Sequence, residues 1–127
     1  MDQLPYLLTV KTKNEMEEIT IKKAQKMVDN WVNTLGVRYF NELTNMALLT
    51  EEVGELSRHM ARRYGEQNYK KEVDGVSLIK EEMGDILFVL TCLSNQMNID
   101  LEECFDISMR KKTQRDSVRH LNNKKLS

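Results

Sequence analysis

Two acidic hexads carry the residues of this chain with the clearest capacity for chemistry. Residues 51–56 (EEVGEL) and residues 81–86 (EEMGDI) both read acid, acid, apolar, glycine, acid, apolar. In a helix, residues three apart share a face, so Glu52 pairs with Glu55 and Glu82 with Asp85. Four carboxylates on two facing helices repel one another unless a multivalent cation lies between them. The hexads therefore predict a metal site.

Oxygen ligands without histidine or cysteine favour a hard ion, Mg²⁺ or alternatively Mn²⁺. Mg²⁺ usually keeps several waters and takes substrate phosphates as further ligands. A bound ion also lowers the pKa of a bound water, which supplies a nucleophile at neutral pH. We therefore expect Glu52, Glu55, Glu82 and Asp85 to form a metal cage for a phosphate substrate.

The alternative is an ordinary charged helix surface, because Glu-x-x-Glu occurs by chance in many helices. Three features favour the metal site: the spacing is repeated, both pairs border apolar seams, and each hexad holds a mid-helix glycine. Such a glycine costs roughly 0.8–1 kcal/mol relative to alanine. Gly54 and Gly84 therefore indicate close helix approach or room for a ligand.

A di-iron carboxylate bundle is a second alternative, and it requires Glu-x-x-His on two helices. Neither His59 nor His120 follows a glutamate by three residues. His59 follows Glu55 by four, and we interpret it as a partly exposed structural residue. Oxygen-activating iron is therefore not expected.

The composition indicates a single helical domain. The chain has 127 residues, 31% of them charged, with one proline and five glycines. No apolar run approaches the ~18–20 residues of a membrane span, and the first residues do not resemble a secretory signal. Cys92 and Cys104 lie in apolar helical patterns and are interpreted as reduced core thiols. These features predict a cytoplasmic protein without a membrane partner.

The net charge of −1 argues against a nucleic-acid partner, although basic residues gather after residue 109. A nucleic-acid arm remains an alternative, but a solvated helix end is the commoner meaning of such a run. No glycine-rich phosphate loop is present. Lys111 and Arg115, one helical turn apart, are the best candidates for phosphate binding, with a solvated helix end as their alternative.

Helical periodicity predicts four main helices. They begin near residues 18–20, 42, 77 and 101, with Gly36 ending the first, Asn41 capping the second, and Asp100 and Glu103 forming a capping box for the fourth. The residues predicted to form the buried stripe of each helix follow in chain order. They are Ile21, Ala24, Val28, Trp31 and Leu35 in the first helix and Met46, Leu49, Val53, Leu56 and Met60 in the second. In the third helix they are Ile79, Met83, Ile86, Leu90, Leu93 and Met97, and in the fourth Leu101, Cys104, Phe105 and Ser108.

On the second and third helices, the acids are predicted to lie at the edge of the buried apolar stripe. The arrangement predicts an all-α, four- to five-helix bundle. The seams are long for one small core, so we expect a homo-oligomer that shares helix faces. Trp31, Tyr39 and Phe40 could stack on a base, but aromatic side chains near a seam more often belong to the core.

The double acidic motif resembles the Glu-Glu-x-x-Glu … Glu-x-x-Asp signature of the MazG-like nucleoside triphosphate pyrophosphohydrolases. Residues 36–40 (GVRYF), 63–66 (RYGE) and Arg115-Asp116 resemble the short single-domain members, and the similarity covers about residues 19–120. It implies a helical bundle, a homodimer or dimer of dimers, and Mg²⁺-dependent cleavage of nucleoside triphosphates between the α and β phosphates.

The resemblance also implies roles for individual residues. Glu52, Glu55, Glu82 and Asp85 would be metal ligands, and Glu51 with Glu52 would serve catalysis. Glu51 would be an outer carboxylate behind the ligands or a ligand of a second ion, and it would help to orient the attacking water. Lys111 and Arg115 would meet the phosphates, although Lys112 replaces an aromatic residue often found there.

The sequence as a whole predicts three segments and one activity. Residues 1–18 form an N-terminal extension, 19–120 the pyrophosphohydrolase domain, and 121–127 a disordered tail. The expected activity is hydrolysis of (d)NTPs to nucleoside monophosphate and pyrophosphate, in removal of surplus or non-standard nucleotides. The alternative from another class is a non-catalytic helical module that dimerises through its seams.

Overall fold

The computed structural model describes residues 17–127, and within that range the secondary structure is helical throughout, without a β-strand. The N-terminal extension predicted for residues 1–18 lies almost entirely outside the described residues. The helices are α1 (Ile21–Thr34), α2 (Glu42–Tyr64), α3 (Gly75–Gln96), α4 (Leu101–Lys111) and α5 (Ser117–Leu121), with a π-helical turn at Lys112–Asp116 and a 3₁₀ turn at Lys124–Leu126. The predicted all-α class is confirmed.

Side-chain caps fix where the four main helices begin. Asn41 accepts a hydrogen bond from the backbone N–H of Leu43, as its predicted N-cap role requires. Asp100 accepts from the backbone N–H of Glu102, one residue earlier than a capping box would use. The remaining caps are Thr20, which accepts from Lys23, and Asp74, which accepts from Ser77.

Gly36, which was predicted to end the first helix, lies just after that helix, in the link between α1 and α2. α1 ends at Thr34 and Leu35 is its cap, so Gly36 follows the cap. A Cβ on Gly36 would lie 3.0 Å from the Trp31 ring and 3.1 Å from the Val32 backbone, so the glycine permits a close approach. Val37 then adopts φ 73°, a left-handed conformation that β-branched residues rarely take.

The helix pair α2–α3 forms the centre of the molecule. α1 packs on α3, and α4 packs on α1. Among residues 17–127, the buried apolar residues belong to α1 and α3, and they are Val32, Ile79, Val89, Cys92 and Leu93. The carboxyl-terminal half of α3 is therefore the most deeply buried segment, and it gives the acidic hexads a rigid support.

The seam along which α2 meets α3 matches the predicted one only in part, because Leu49, Leu56, Ile79, Ile86 and Leu93 turn inward while the other predicted members do not. Predicted seam residues Met46, Val53 and Met60 are exposed on α2, and Met83, Leu90 and Met97 are exposed on α3. The residues that turn inward are Asn45, Leu48, Leu49, Glu52, Leu56 and His59 on α2 and Ile79, Glu82, Ile86, Val89, Cys92 and Leu93 on α3. Glu52 and Glu82 thus lie within the buried seam, and the prediction that they lie on its flank was wrong.

The packed face is rotated from the predicted seam, so that it keeps Leu49 and Ile86 but takes in Glu52 and Glu82 where Val53 and Met83 were expected. Periodicity finds the centre of the apolar residues, whereas the face that packs inside the chain also includes the acids. Gly54 and Gly84 have no heavy atom within 4 Å of a Cβ built on them, so neither marks a close approach between helices of this chain. The exposed stripes remain available to a partner surface.

A polar network joins α1 to the corner between α3 and α4. The Gln25 amide nitrogen donates to Ser94 and Asn95, and its amide oxygen accepts from the backbone N–H of Leu101. The Asn95 amide donates to the Tyr39 hydroxyl, which in turn donates to a carboxylate oxygen of Asp29 at 2.7 Å. These bonds hold α1 and the Tyr39 side chain in fixed positions.

The inward face predicted for α4 is only partly correct. Leu101 and Ser108 are half-buried, but Phe105 and Cys104 are exposed, because α4 packs mainly on α1 and leaves much of its circumference uncovered. Cys104 is therefore not a core thiol. Cys92 is buried as predicted, and burial raises the pKa of its thiol to about 11. Among residues 17–127, no helix is long and apolar enough to cross a membrane.

Candidate active site

Three carboxylates from the two hexads converge between α2 and α3. One oxygen each from Glu52, Glu82 and Asp85 can be chosen so that all three lie within 4.8 Å of one another. Glu52 comes from the middle of α2, while Glu82 and Asp85 share a face of α3 at the i, i+3 spacing. Oxygen atoms at this separation suit coordination of a single divalent cation.

Burial makes this cluster costly without a positive partner. Glu82 is only 9% exposed, and one carboxylate oxygen of Glu82 and one of Glu52 are buried without a hydrogen-bond partner. A buried charged group without a partner carries a large desolvation cost. The donor set therefore fits a hard divalent ion, which would satisfy both oxygens.

The titration of Glu82 reflects the same crowding. Its pKa is raised from the ordinary 4.5 to about 7, first by burial and then by the Glu52 and Glu55 carboxyl groups beside it. Both the loss of hydration and the neighbouring negative charges favour the protonated form. Protonation of Glu82 thus removes part of the negative charge that a bound cation would otherwise neutralise.

The other two acids of the first hexad lie at the edge of the cluster. Glu55 is exposed but close enough to Glu82 to raise its pKa. Glu51 is exposed on α2, next in sequence to Glu52. The structure thus brings Glu52, Glu82 and Asp85 together, with Glu82 deepest and Asp85 towards solvent, and it leaves Glu55 beside Glu82 but outside this group of three.

His59 and Tyr69 extend the cluster towards the α2–α3 loop. The His59 Nε2 atom lies 3.7 Å from a Glu82 carboxylate oxygen. Its Nδ1 atom lies 3.0 Å from the Tyr69 hydroxyl, and the two rings are 5.8 Å apart. The side chain of His59 is 15% exposed, in agreement with the prediction of a partly exposed residue.

The predicted phosphate-binding residues belong to α4 and the turn after it, not to the two helices that carry the carboxylates. Lys111 is the last residue of α4 and Arg115 lies in the π-helical turn, and both are exposed. They line a surface depression of about 340 Å³ together with Ile107, Arg110 and Gln114. Arg115 Nε donates to Asp116 at 3.1 Å. Their phosphate role stays a prediction.

An apolar cavity of about 220 Å³ opens next to the carboxylate cluster. Two of its lining residues are one helical turn from the acids: Leu48 precedes Glu52 by four residues, and Val89 follows Asp85 by four. Its aromatic residues are Trp31, Tyr39, Phe40 and Phe88, and Trp31 meets Phe88 edge to face at 5.5 Å between ring centroids. This volume is below the roughly 300–1,000 Å³ of a pocket for a whole small-molecule ligand.

Sequence reasoning missed three parts of this site. His59 follows Glu52 by seven residues, two helical turns, so the shared face was readable from the sequence. Tyr69 lies in a polar loop, and Phe88 was outside the predicted seam. Their proximity depends on how α1, α3 and the loop meet, for which the sequence carries no local signal.

The all-helical fold and the clustered acids define a class of enzyme. The chain matches the model of the MazG nucleotide pyrophosphohydrolase domain over residues 40–120. It belongs to this family and is a nucleotide pyrophosphohydrolase.

Solved structures and a curated relative agree with this assignment. The Bacillus-conserved MazG protein, a nucleotide pyrophosphohydrolase, shares 43% identity over 80% of this chain and 98% of its own, with a TM-score of 0.66. The crystal structure of YPJD from Bacillus subtilis shares 44% identity over 80% of this chain and all of its own, with a TM-score of 0.68. The uncharacterized protein YpjD of Bacillus subtilis (strain 168) is 45% identical over 104 residues, 82% of this chain and 93% of that protein.

Proposed function

We propose that this enzyme hydrolyses nucleoside triphosphates between the α and β phosphates in a reaction that requires Mg²⁺ or Mn²⁺. The products are a nucleoside monophosphate and pyrophosphate, and the role is removal of surplus or non-standard (d)NTPs in the cytoplasm. The observation that carries the proposal is the pair of buried carboxylate oxygens without partners, on Glu52 and Glu82.

Glu52, Glu55, Glu82 and Asp85 would hold the ion. Bound there, it would neutralise the phosphate chain and lower the pKa of a bound water. The exposed Glu51 side chain, beside this set, orients the attacking water. Lys111 and Arg115 bind phosphate oxygens through charge-assisted hydrogen bonds.

The apolar cavity next to the acids is proposed as the site of the base. It has room for part of a ligand only, which suits a substrate whose phosphates lie outside it at the carboxylates. Four aromatic side chains line it, and an aromatic face stacks on any base. The cavity therefore sets base preference, while the carboxylates act on the triphosphate common to all substrates.

Assembly as a homodimer or dimer of dimers is part of the proposal. The exposed stripes of α2 and α3 include Val53 at 46%, Met83 at 54% and Leu87 at 57% exposure. Exposed apolar patches of this kind mark interaction surfaces. The open space at Gly54 and Gly84 lies on these helices and permits a partner helix to approach closely.

A nucleotide panel tests the proposed activity. Each NTP and dNTP is incubated with the enzyme, Mg²⁺ and inorganic pyrophosphatase, and phosphate is measured with malachite green. We expect phosphate only when pyrophosphatase is present, because the direct product is pyrophosphate. Phosphate released without pyrophosphatase would contradict the α–β position of cleavage. No Mg²⁺-dependent signal from any nucleotide would favour a non-catalytic dimerising module.

A further inference from the structure

The loop between α2 and α3 contains one side chain that turns inward. From Gly65 to Asp74 every residue is exposed except Tyr69, which is half-buried. Three contacts hold its ring: the His59 imidazole, the Arg62 guanidinium 5.6 Å from the ring centroid, and Gly75. A Cβ on Gly75 would lie 3.2–3.3 Å from the Tyr69 ring and hydroxyl, so the glycine leaves space for this side chain.

His59 connects Tyr69 to the carboxylate cluster. Its Nδ1 atom faces the Tyr69 hydroxyl and its Nε2 atom faces Glu82. When the hydroxyl donates to Nδ1, the ring proton must reside on Nε2, where it points at a Glu82 oxygen. Once Glu82 has lost its proton, as ion binding requires, the opposite tautomer would turn a nitrogen lone pair towards a negatively charged carboxylate, which is unfavourable.

We propose that Tyr69 and His59 are positioning residues that hold the Glu82 carboxylate in the orientation needed to bind the divalent ion. This inference rests on the proposed metal site. A carboxylate ligand has two oxygens and a rotatable side chain, and hydrogen bonds from outer residues fix which oxygen faces the ion. At the most buried acid of the site, the contacts from Tyr69 through His59 end 3.7 Å from a Glu82 oxygen, an electrostatic contact longer than a hydrogen bond, which favours one orientation of that carboxylate. They also tie the conformation of the 65–74 loop to ion affinity.

Ion binding, measured directly, is the readout. Mn²⁺ is titrated into the purified protein by calorimetry, and free Mn²⁺ is followed by electron paramagnetic resonance. We expect His59→Leu to weaken Mn²⁺ binding by about 10-fold or more, the range typical of outer-shell partners. Tyr69→Phe should weaken it less but in the same direction. His59→Gln, which keeps an N–H donor on a flexible chain, should recover part of the affinity.

Two controls separate positioning from general damage. Tyr64→Phe removes a hydroxyl from a neighbouring exposed tyrosine, and it should leave Mn²⁺ binding unchanged. The double variant His59→Leu/Tyr69→Phe should bind Mn²⁺ as weakly as His59→Leu alone, because Tyr69 acts through His59. Circular dichroism and thermal melting verify that each variant is folded, and if His59→Leu does not fold, Tyr69→Phe and His59→Gln carry the test.

The outcomes distinguish this inference from the function on which it rests. If Tyr69→Phe binds Mn²⁺ like Tyr64→Phe, or if the two losses add in the double variant, the positioning role is wrong while the metal site stands. If the wild-type protein binds no Mn²⁺, the metal site and the positioning role are both wrong.

Discussion

Glu52 on α2 and Glu82 on α3 meet inside the seam between their helices, each with one carboxylate oxygen buried and unpartnered. Two acids at the centre of a helix contact oppose folding, since each loses hydration and repels the other. The same arrangement is what a cation site requires. Stability and function therefore place opposite demands on these two residues.

Replacing one of the predicted metal ligands should lower activity without lowering stability. Glu52→Gln or Asp85→Asn should lower turnover by more than about 100-fold, beyond the loss typical of outer-shell substitutions. The fold should persist, and without added metal the melting temperature should stay the same or rise, because repulsion is relieved. Glu81→Gln, an exposed acid next to Glu82, is the matched control and should melt and turn over like wild type. Normal turnover in either ligand variant would remove that residue from the mechanism.

The raised pKa of Glu82 predicts how stability depends on pH. The folded chain keeps a proton on Glu82 up to about pH 7, whereas an unfolded glutamate loses it near 4.5. The contribution of Glu82 to the free energy of unfolding therefore falls as the pH rises through this window, because the folded state binds more protons. Thermal melts in chelator from about pH 5 to about pH 8 should show this decline, and Glu82→Gln should reduce it. An equal decline in the variant would assign it to other groups.

Added Mg²⁺ should act in the opposite direction. The ion and the proton compete for Glu82, so the rise in melting temperature on adding Mg²⁺ should be larger near pH 8 than near pH 6. The comparison uses the same melts with chelator replaced by Mg²⁺. A rise that does not depend on pH would mean that Glu82 is not a ligand.

Lys111→Ala should chiefly weaken substrate binding. Loss of a charge-assisted hydrogen bond costs roughly 1.5–3 kcal/mol, so the KM for a nucleoside triphosphate should rise by about 10-fold or more, with a smaller change in kcat. Lys112→Ala is the matched control, because the Lys112 Nζ atom donates a hydrogen bond to the Ser108 hydroxyl at 3.0 Å. Equal kinetics in the two variants would contradict the phosphate role of Lys111, and Arg115→Ala tests its neighbour in the same way.

The single tryptophan reports on the proposed base site. Trp31 lines the apolar cavity, and the chain has no other tryptophan. Binding of a non-hydrolysable nucleoside triphosphate analogue should change its fluorescence, whereas inorganic tripolyphosphate, which lacks a base, should change it far less. Phe88→Ala should weaken binding of the analogue without weakening that of tripolyphosphate. Identical responses to both ligands would place the base elsewhere.

The exposed stripes of α2 and α3 predict self-association. Light scattering coupled to gel filtration should give the mass of a dimer or tetramer, and Leu87→Asp should lower it by placing charge within the shared face. Leu126→Asp, at an exposed apolar residue of the 3₁₀ turn, is the control and should keep the wild-type mass. A monomeric wild-type protein would contradict the assembly.

Local signals in the sequence were sufficient for the helices. Asn41 and Asp100 combine a capping side chain with the start of an apolar period, and both are N-caps as predicted, although Asp100 bonds Glu102 and not Glu103. The helical period of the apolar residues could not fix the rotation of the packed face, so Leu49 and Ile86 were assigned to the core correctly and Met46 and Met83 in error. That choice depends on the fit between α2 and α3.

The candidate site, like the fold, could be predicted from the sequence only in part. Repetition of the acidic hexad identified three carboxylates that do converge, on Glu52, Glu82 and Asp85, and a fourth, on Glu55, that lies beside Glu82. Tyr69 reaches His59 across a loop, and Phe88 reaches Trp31 from another helix. Such contacts depend on tertiary packing, which a single sequence does not encode in any local pattern.

The acidic centre of the α2–α3 seam has a consequence for the stability and abundance of the protein in the cell. If an ion stabilises the very contact on which the fold depends, then magnesium starvation would withdraw structural support as well as activity. Molecules left without an ion would open more often and meet proteases sooner. Abundance of the enzyme would then follow the supply of divalent cations without any dedicated sensor.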